Sequence, residues 1–311
     1  MKKYLLSLII LISFFFAGCS SNSKEARFTI ISSSFPGYDF ARAIVKNTDD
    51  VEVKMLLKPG SEMHDFEPTP QDIINIKNCD VFIYVGGESD SWIDDILDDI
   101  DTSKTKIIKL MDFVDVVEEE EVPGMEEEVE EDEEEIEYDE HVWTSPVNVI
   151  TIIEKLKNEF IKIDKENSSL YQENADNYIT QLKNIDSQIK DIVSQSKRKE
   201  LVFGDRFPFR YFTDEYGLSY SAAFKGCSEQ SEASAKTITF LINKIKDNDI
   251  PVVLHIELSN KNIANTISKE TGAKVLEFNS AHNITQKDFD DGITYVDMME
   301  KNIEVLKEAL N

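Results

Sequence analysis

Seven apolar residues, Tyr171, Ala175, Tyr178, Leu182, Ile185, Ile189 and Ile192, recur at intervals of 4, 3, 4, 3, 4 and 3. That spacing places them on one stripe of an α-helix. Asn167 and Ser168 offer N-caps, and Lys197-Arg198-Lys199 puts positive charge at the C-terminal end of the helix dipole. The predicted helix ends near Gln195, after about 28 residues or roughly 42 Å. A helix that long in mid-chain divides the sequence into two halves. A coiled-coil dimer is the competing use of such a stripe, but only about three heptads are sustained. Packing along the two halves of its own chain is the preferred reading, with a monomer as the expected state.

On either side of this helix, short apolar runs alternate with helix-like stretches. Residues 27–32, 51–57, 80–85 and 106–110 read as strands, with helices over 38–45, 72–78 and 92–97. After the long helix, 200–203, 218–222, 251–256 and 274–278 read as strands, with helices over 209–216, 238–245, 263–270 and 294–310. Near-continuous apolar strands alternating with helices imply an α/β fold of two domains with parallel sheets covered on both faces. The expected divisions are 27–165 for the first domain, 166–198 for the connecting helix and 199–311 for the second.

The start of the chain reads as an export signal over 1–18 and a tether over 19–26. Lys2 and Lys3 precede an uncharged, mostly apolar run of 13 residues, Tyr4 to Phe16. At about 1.5 Å per residue that run is too short to cross a ~30 Å hydrocarbon core as a helix. Phe16-Ala17-Gly18-Cys19 resembles a bacterial lipobox, with Phe16 where Leu is usual. Cleavage would leave Cys19 as a diacylated N-terminus, holding an exported protein to the outer face of the cytoplasmic membrane. Two acyl chains make such anchoring stable, whereas one is marginal.

Two cysteines remain beyond Cys19. Cys79 adjoins the apolar run Val81 to Val85 and reads as a small core residue; Cys227 lies in the other half, so a disulfide between them is not expected. A thiolate metal site would call for paired cysteines at close spacing, and there are none. Thiol chemistry is therefore not expected of this chain.

The formal net charge is −28, which argues against nucleic acid as a partner, since phosphate binding needs clustered Lys and Arg. Residues 118–140 concentrate the imbalance, with 16 acidic residues and no basic one; outside them stand 33 basic against 45 acidic residues, a net of −12. So many like charges with so few apolar partners predict a solvated loop without a fixed fold. Its carboxylates can still raise the local cation concentration.

The chain has four histidines, and two sit in loop-like text: His64 in Lys58-Pro-Gly-Ser-Glu-Met-His-Asp-Phe-Glu-Pro-Thr-Pro70 and His141 in Asp139-Glu-His-Val-Trp143. Imidazole is the commonest borderline-soft ligand for zinc and its neighbours, and loops on a rigid scaffold can present it. Ligands in open α/β sheets bind beyond the carboxyl ends of the strands. His64 follows the second strand, Asp205 and Arg206 follow the 200–203 strand, and His282 follows the 274–278 strand. These residues converge on a crevice between the two domains. His255, inside the apolar strand 251–256, reads as a hydrogen-bonded core histidine. Alternation puts it on the same face as Glu257, so both remain candidates to flank the site.

His-Asp-Phe-Glu-Pro-Thr-Pro and His-Val-Trp closely resemble metal-ligand segments of the zinc/manganese solute-binding proteins of bacterial ABC importers, and the resemblance runs over most of the chain. It implies two α/β domains, one long connecting helix that limits hinge opening, and a metal site in the interdomain cleft. It also implies a lipid-anchored receptor that hands a cation to an ABC permease and performs no chemistry. Just before the second ligand, relatives often carry a histidine-rich acidic loop; here the acid is present and no histidine precedes His141. The family places His or Glu in the turn here reading Phe203-Gly-Asp-Arg-Phe-Pro-Phe-Arg-Tyr-Phe212, which contains neither. Because Arg cannot ligate, Asp205 is the better candidate there. The family's last ligand is a carboxylate in the turn here spanning Asn279 to His282, and His282 takes its place. The implied set is His64, His141, His282 and Asp205, which suits Zn2+ ahead of Mn2+.

Two other readings are weighed beside this one. A zinc-dependent hydrolase would need an open coordination position, and no His-Glu-x-x-His, Gly-x-Ser-x-Gly or phosphate-binding glycine loop occurs. A surface adhesin, a role reported for some relatives, has no feature here that tests it.

Overall fold

The computed structural model describes residues 27–63, 66–126, 137–228 and 232–311. The export signal, Cys19, the tether, His64 and the centre of the acidic segment lie outside the described residues. Two four-stranded parallel sheets, each flanked by helices, form the framework. The first contains β1 (Phe28–Ser32), β2 (Val51–Met55), β3 (Val81–Tyr84) and β4 (Lys106–Lys109), in the order β2-β1-β3-β4. With it come α1 (Phe35–Ile44), α2 (Pro70–Asn78) and the short α3 (Asp94–Leu97), which a 3₁₀ segment over Glu88–Ile93 leads into. Next come α4 (Pro146–Ile163) and α5 (Ser168–Gln195). The second sheet contains β5 (Glu200–Arg206), β6 (Ser219–Phe224), β7 (Val252–His255) and β8 (Lys274–Glu277), in the order β6-β5-β7-β8. Its helices are α6 (Arg210–Tyr216), α7 (Ala235–Asp247), α8 (Asn262–Thr271), α9 (Gln286–Asp290) and α10 (Tyr295–Ala309). Both sheets thus follow the same winding, with a switch point between their first and third strands, where open α/β sheets build ligand sites.

Side chains alternate between two covered faces, which explains why the inner strands β3 and β7 are buried at every position. Ile30, Val81 and Ile83 belong to one large core with Leu201, Phe203, Val252 and Leu254 of the second sheet. Their strand neighbours point the other way: Ile31, Phe82 and Tyr84 pack under Ile76 and Ile93, while Val202 and Val253 pack under Leu241 and Ile267. The shared core runs through α4, α5 and α10, so both halves bury apolar surface against the long helix.

Helix α5 has 28 residues and buries Tyr171, Ala175, Tyr178, Ile179, Leu182, Ile185, Ile189 and Val193. At its end Val193, a step of 4 from Ile189, is buried, and Ile192 packs half-buried against the same core. A straight helix of 3.6 residues per turn drifts off a strict 3.5 repeat in this way. Asn167 stands at the N-cap without a side-chain capping bond; its side-chain amide instead donates to Asp164 Oδ2 at 2.8 Å. Asp39, fully buried in α1, ties the halves to this spine. Tyr178 Oη donates to its Oδ2 at 2.7 Å and the Tyr295 amide at 3.0 Å, and Arg42 Nε donates to its Oδ1 at 2.7 Å. No helix among the described residues is long and apolar enough to cross a membrane.

The acidic segment departs from expectation at both of its described flanks, which are docked rather than freely solvated. Glu118 and Tyr138 form an antiparallel bridge, and the Glu119 amide donates to Glu137 O at 2.9 Å. Arg210 pairs with Glu120, Tyr220 Oη donates to Glu120 at 2.8 Å, and the Glu126 amide donates to Ala223 O at 3.0 Å. Charge repulsion loses here because the carboxylates meet an arginine, a phenol and backbone amides of the second half. Residues 127–136 lie outside the described residues.

Candidate metal centre

His141 sits where the acidic segment returns to the fold, at the N-terminus of a 3₁₀ turn over Val142–Thr144. Ser145 then caps α4, its Oγ accepting the Asn148 amide at 3.3 Å. The imidazole is fully buried. Asp139 Oδ1 accepts both the His141 amide, at 2.7 Å, and its Nδ1–H, at 2.8 Å. A carboxylate on Nδ1 fixes ring orientation and tautomer, and makes Nε2 the nitrogen that meets a metal.

His282 comes from the turn after β8 and is built by the same logic at one remove. Its Nδ1 lies 2.6 Å from Ser280 Oγ, which donates in turn to Glu257 Oε1 at 2.7 Å. Glu257 also accepts the amides of Ser280 at 2.7 Å and His282 at 2.9 Å. Between those amides, Ala281 is held at φ 58°, a left-handed conformation that costs a non-glycine residue roughly 1–2 kcal/mol. A carboxylate cradled by the N–H groups around such a residue offsets that cost.

These two imidazoles, from opposite halves, lie with ring centroids 4.5 Å apart. Trp143 packs edge-on to both, at 5.4 and 5.3 Å, and its Nε1 donates to Ser280 O at 2.8 Å. The loop carrying His64 is anchored to the same turn. Asn283 Nδ2 donates to Lys58 O at 2.9 Å and to Ser61 O at 2.6 Å, and the Gly60 amide donates to Ile284 O at 2.8 Å.

Asp205 lies at the end of β5, nearly buried. Its Oδ1 accepts the Arg206 amide at 2.9 Å and its Oδ2 the Ile256 amide at 3.2 Å. Arg206 reaches across the crevice to Glu62 Oε2 at 2.7 Å. Around them the turn is filled by aromatic rings: Phe203, Phe207, Phe209, Phe212 and Phe278 pack on one another, mostly edge to face, and Tyr220 stacks on Phe207. His255 is buried and its Nδ1 lies 2.7 Å from Ile256 O. Glu257 therefore serves the His282 turn, while His255 is turned to its own backbone.

Among the described residues, one group of metal-competent side chains has its ligand atoms all within 4.8 Å of one another: Glu140, His141 and Cys227. The sequence reading missed Asp139, Glu140 and Cys227. The first two adjoin His141 and were legible as a local acidic pair; Cys227 is brought in only by the fold. Glu140 is buried against Ser89, whose amide donates to it at 3.0 Å and whose hydroxyl donates to the other oxygen.

Burial pushes the Glu140 carboxyl up to about 7, and it also raises those of Glu119 and Glu257. Burial opposes charge on His141, but Asp139, by its charge and its hydrogen bond, outweighs that and raises the imidazole. Burial, reinforced by Glu140, Glu119 and Asp139, holds the Cys227 thiol well above its ordinary range. Glu140, Glu119, Asp139 and Cys227 thus share a poorly hydrated space, where a divalent cation would favour the charged carboxylates and the thiolate.

The family model for the periplasmic zinc-uptake complex component A, ZnuA, matches residues 30–309. The zinc-binding lipoprotein AdcA of Streptococcus pneumoniae is 32% identical over 312 residues, covering 99% of this chain and 61% of that protein. The high-affinity zinc uptake system protein ZnuA of Bacillus subtilis is 28% identical over 291 residues, covering 94% of this chain and 90% of that protein. The crystal structure of the Zn(II)-bound ZnuA-like domain of S. pneumoniae AdcA superposes with a TM-score of 0.74 at 29% identity, covering 91% of this chain and 98% of that one. The metal-dependent lipoprotein YcdH of B. subtilis gives 0.77 at 26% identity, covering 92% of this chain and 100% of that one. The chain spans about three-fifths of the length of the AdcA relatives it matches. With a family model matching nearly its whole folded length, the chain belongs to the ZnuA family of zinc-uptake complex components.

Proposed function

We propose that this protein is an extracytoplasmic receptor that captures a divalent transition-metal ion, zinc ahead of manganese, and delivers it to the permease of an ABC importer. One observation carries the reading. Two buried imidazoles from opposite halves face each other at 4.5 Å, each with Nδ1 held by a carboxylate, directly or through Ser280. Paired imidazoles oriented by outer carboxylates suit zinc, whereas manganese favours more oxygen. The names of AdcA and of the B. subtilis protein, and the Zn(II)-bound domain, support the same metal.

In this reading His64, His141 and His282 supply the imidazoles, and a further side chain from the second half completes the set, for which the sequence offers Asp205. The divisions at 27–165, 166–198 and 199–311, a diacylated Cys19 and a monomeric state belong to the same proposal. Ligands drawn from both halves would enclose the ion, leaving no position for a reacting water; the role is binding rather than catalysis. Metal analysis of protein purified without chelator, followed by competitive titration with zinc and manganese, tests it. One tightly held zinc per chain, displaced poorly by manganese, is expected. Absence of stoichiometric zinc binding sinks the proposal.

A further inference from the structure

Cys227 lies on the loop after β6, in the run Phe224-Lys-Gly-Cys-Ser228, and that loop is seated directly on His141. A Cβ on Gly226 would stand 2.9 Å from His141 Cε1, 3.1 Å from its Nδ1 and 3.1 Å from Phe207 O. Only glycine permits so close an approach, because ordinary side-chain contacts begin near 3.4–4 Å. The approach brings the next residue's Sγ to within 4.8 Å of both a His141 ring nitrogen and a Glu140 oxygen. From the acidic flank, Glu119 Oε1 accepts the Cys227 amide at 3.2 Å and fixes the loop there.

The rival from the second half is differently placed. Both Asp205 oxygens accept backbone amides, those of Arg206 and Ile256, so the carboxylate secures the ends of β5 and β7. Its neighbour Arg206 is engaged with Glu62 and with Ser228 O at 3.4 Å. The aromatic packing of Phe203, Phe207 and Phe209 fills the turn that carries an imidazole or carboxylate ligand in the resembling family. Glu140 is held on Ser89 by two hydrogen bonds and acts as neighbouring negative charge.

We infer that Cys227 Sγ is a ligand of the crevice metal, in place of Asp205, so that this chain binds its ion with imidazoles and a thiolate. The inference rests on the metal-receptor reading above. In a tetrahedral site with Zn–S of about 2.3 Å and Zn–N of about 2.0 Å, ligand atoms stand roughly 3.5 Å apart. With Sγ and the ring nitrogen already within 4.8 Å, they need to close by roughly an ångström at most. On binding, the S–H bond breaks, its proton leaves to solvent and the metal–sulfur bond forms. Thiolate is the softest ligand a side chain supplies, so it shifts selectivity further from manganese than a carboxylate would.

Cobalt(II), which takes zinc sites and reports its ligands by absorption, tests the assignment on the full chain. One equivalent of cobalt should give an intense near-ultraviolet thiolate-to-cobalt charge-transfer band, bleached by one equivalent of zinc. Cys227→Ser should lose the band and bind zinc more weakly by at least the roughly 10–100-fold that loss of an outer-sphere partner costs. A chain carrying Cys19→Ser and Cys79→Ala should keep the band, which holds the test open even where Cys227→Ser does not fold. Stoichiometric tight cobalt and zinc binding without the band overturns the thiolate and leaves the receptor reading standing. A band that survives in Cys227→Ser also overturns it. No stoichiometric binding of either metal removes both.

Discussion

Asp139→Asn separates the charge of the outer carboxylate from its geometry. The amide oxygen of Asn can still accept the His141 amide and Nδ1–H that Asp139 Oδ1 takes at 2.7 and 2.8 Å. Ring orientation is therefore kept while the negative charge that makes the imidazole a stronger base is lost. Removing outer partners of a metal-bound histidine costs about 10–100-fold in affinity, or roughly 1.4–2.7 kcal/mol. Because the geometry survives, Asp139→Asn should fall near the lower end, about tenfold. Asp139→Ala should fall at or beyond the upper end, and should also destabilise the metal-free fold. It leaves two buried donors without an acceptor, at about 1–3 kcal/mol each. The assay is competition against a chromophoric chelator at fixed pH and ionic strength, with urea unfolding of the metal-free proteins alongside. Zinc affinity within twofold of the parent for both variants would refute the carboxylate–histidine arrangement as the tuning element. Equal losses for both would show that orientation contributes nothing separable from charge.

Gly226→Ala should lower metal-free stability by about 1–3 kcal/mol through overpacking against His141, and weaken zinc binding with it; calorimetry and titration report the two. Zinc at 100 times its dissociation constant should add about 2.7 kcal/mol to unfolding stability, and excess chelator should remove that gain in a thermal melt. Burial works to raise Asp164, but hydrogen bonds from Asn167, Tyr171 and Arg27 outweigh it and hold the carboxyl below its ordinary range. Its contribution is therefore complete above the unfolded value of about 3.9 and is lost as pH falls through the folded one. Asp164→Asn should flatten the acid limb of stability against pH, and an unchanged limb in urea melts would count against this. Deleting 127–136 should leave the tight zinc dissociation constant nearly unchanged while slowing association at low salt, read by stopped flow. Abolished tight binding would place a primary ligand in that segment.

Periodicity made the scaffold legible. The stripe from Tyr171 to Ile189 is spaced as a helix face and nothing else, and strand runs such as Val81 to Val85 are apolar at every position because both sheet faces are covered. At its end the 3.6 period drifts from 3.5, so that Val193 is buried beside a half-buried Ile192 on the same core. His141 and His282 stood out because histidine is scarce here and both lie beyond strand or loop ends. Cys227 did not, since the rule for thiolate sites looks for a second cysteine nearby in sequence. Its partner is an imidazole supplied by the other half, and the signal was Gly226, whose missing side chain has meaning only once His141 is known to lie against it. The docked flanks of the acidic segment were hidden for a related reason. Composition reports repulsion among Glu118 to Glu121 but cannot show that Arg210, Tyr220 and the Cys227 amide wait opposite.

The bridge between Glu118 and Tyr138, with the amide of Glu119 on Glu137, brings the ends of the acidic excursion together before its middle begins. A loop closed at its neck transmits little of its own length or composition to the body it hangs from. Doubling it costs only about 0.6 kcal/mol of closure entropy. The splice point therefore lies past the neck and past the flank held by Glu119, Glu120 and Glu126: over 127–136 a foreign segment, a reporter peptide or a run of histidines can be exchanged for the present acids without retuning the crevice. The chain's most acidic stretch and its metal site then sit side by side, set apart by one antiparallel bridge.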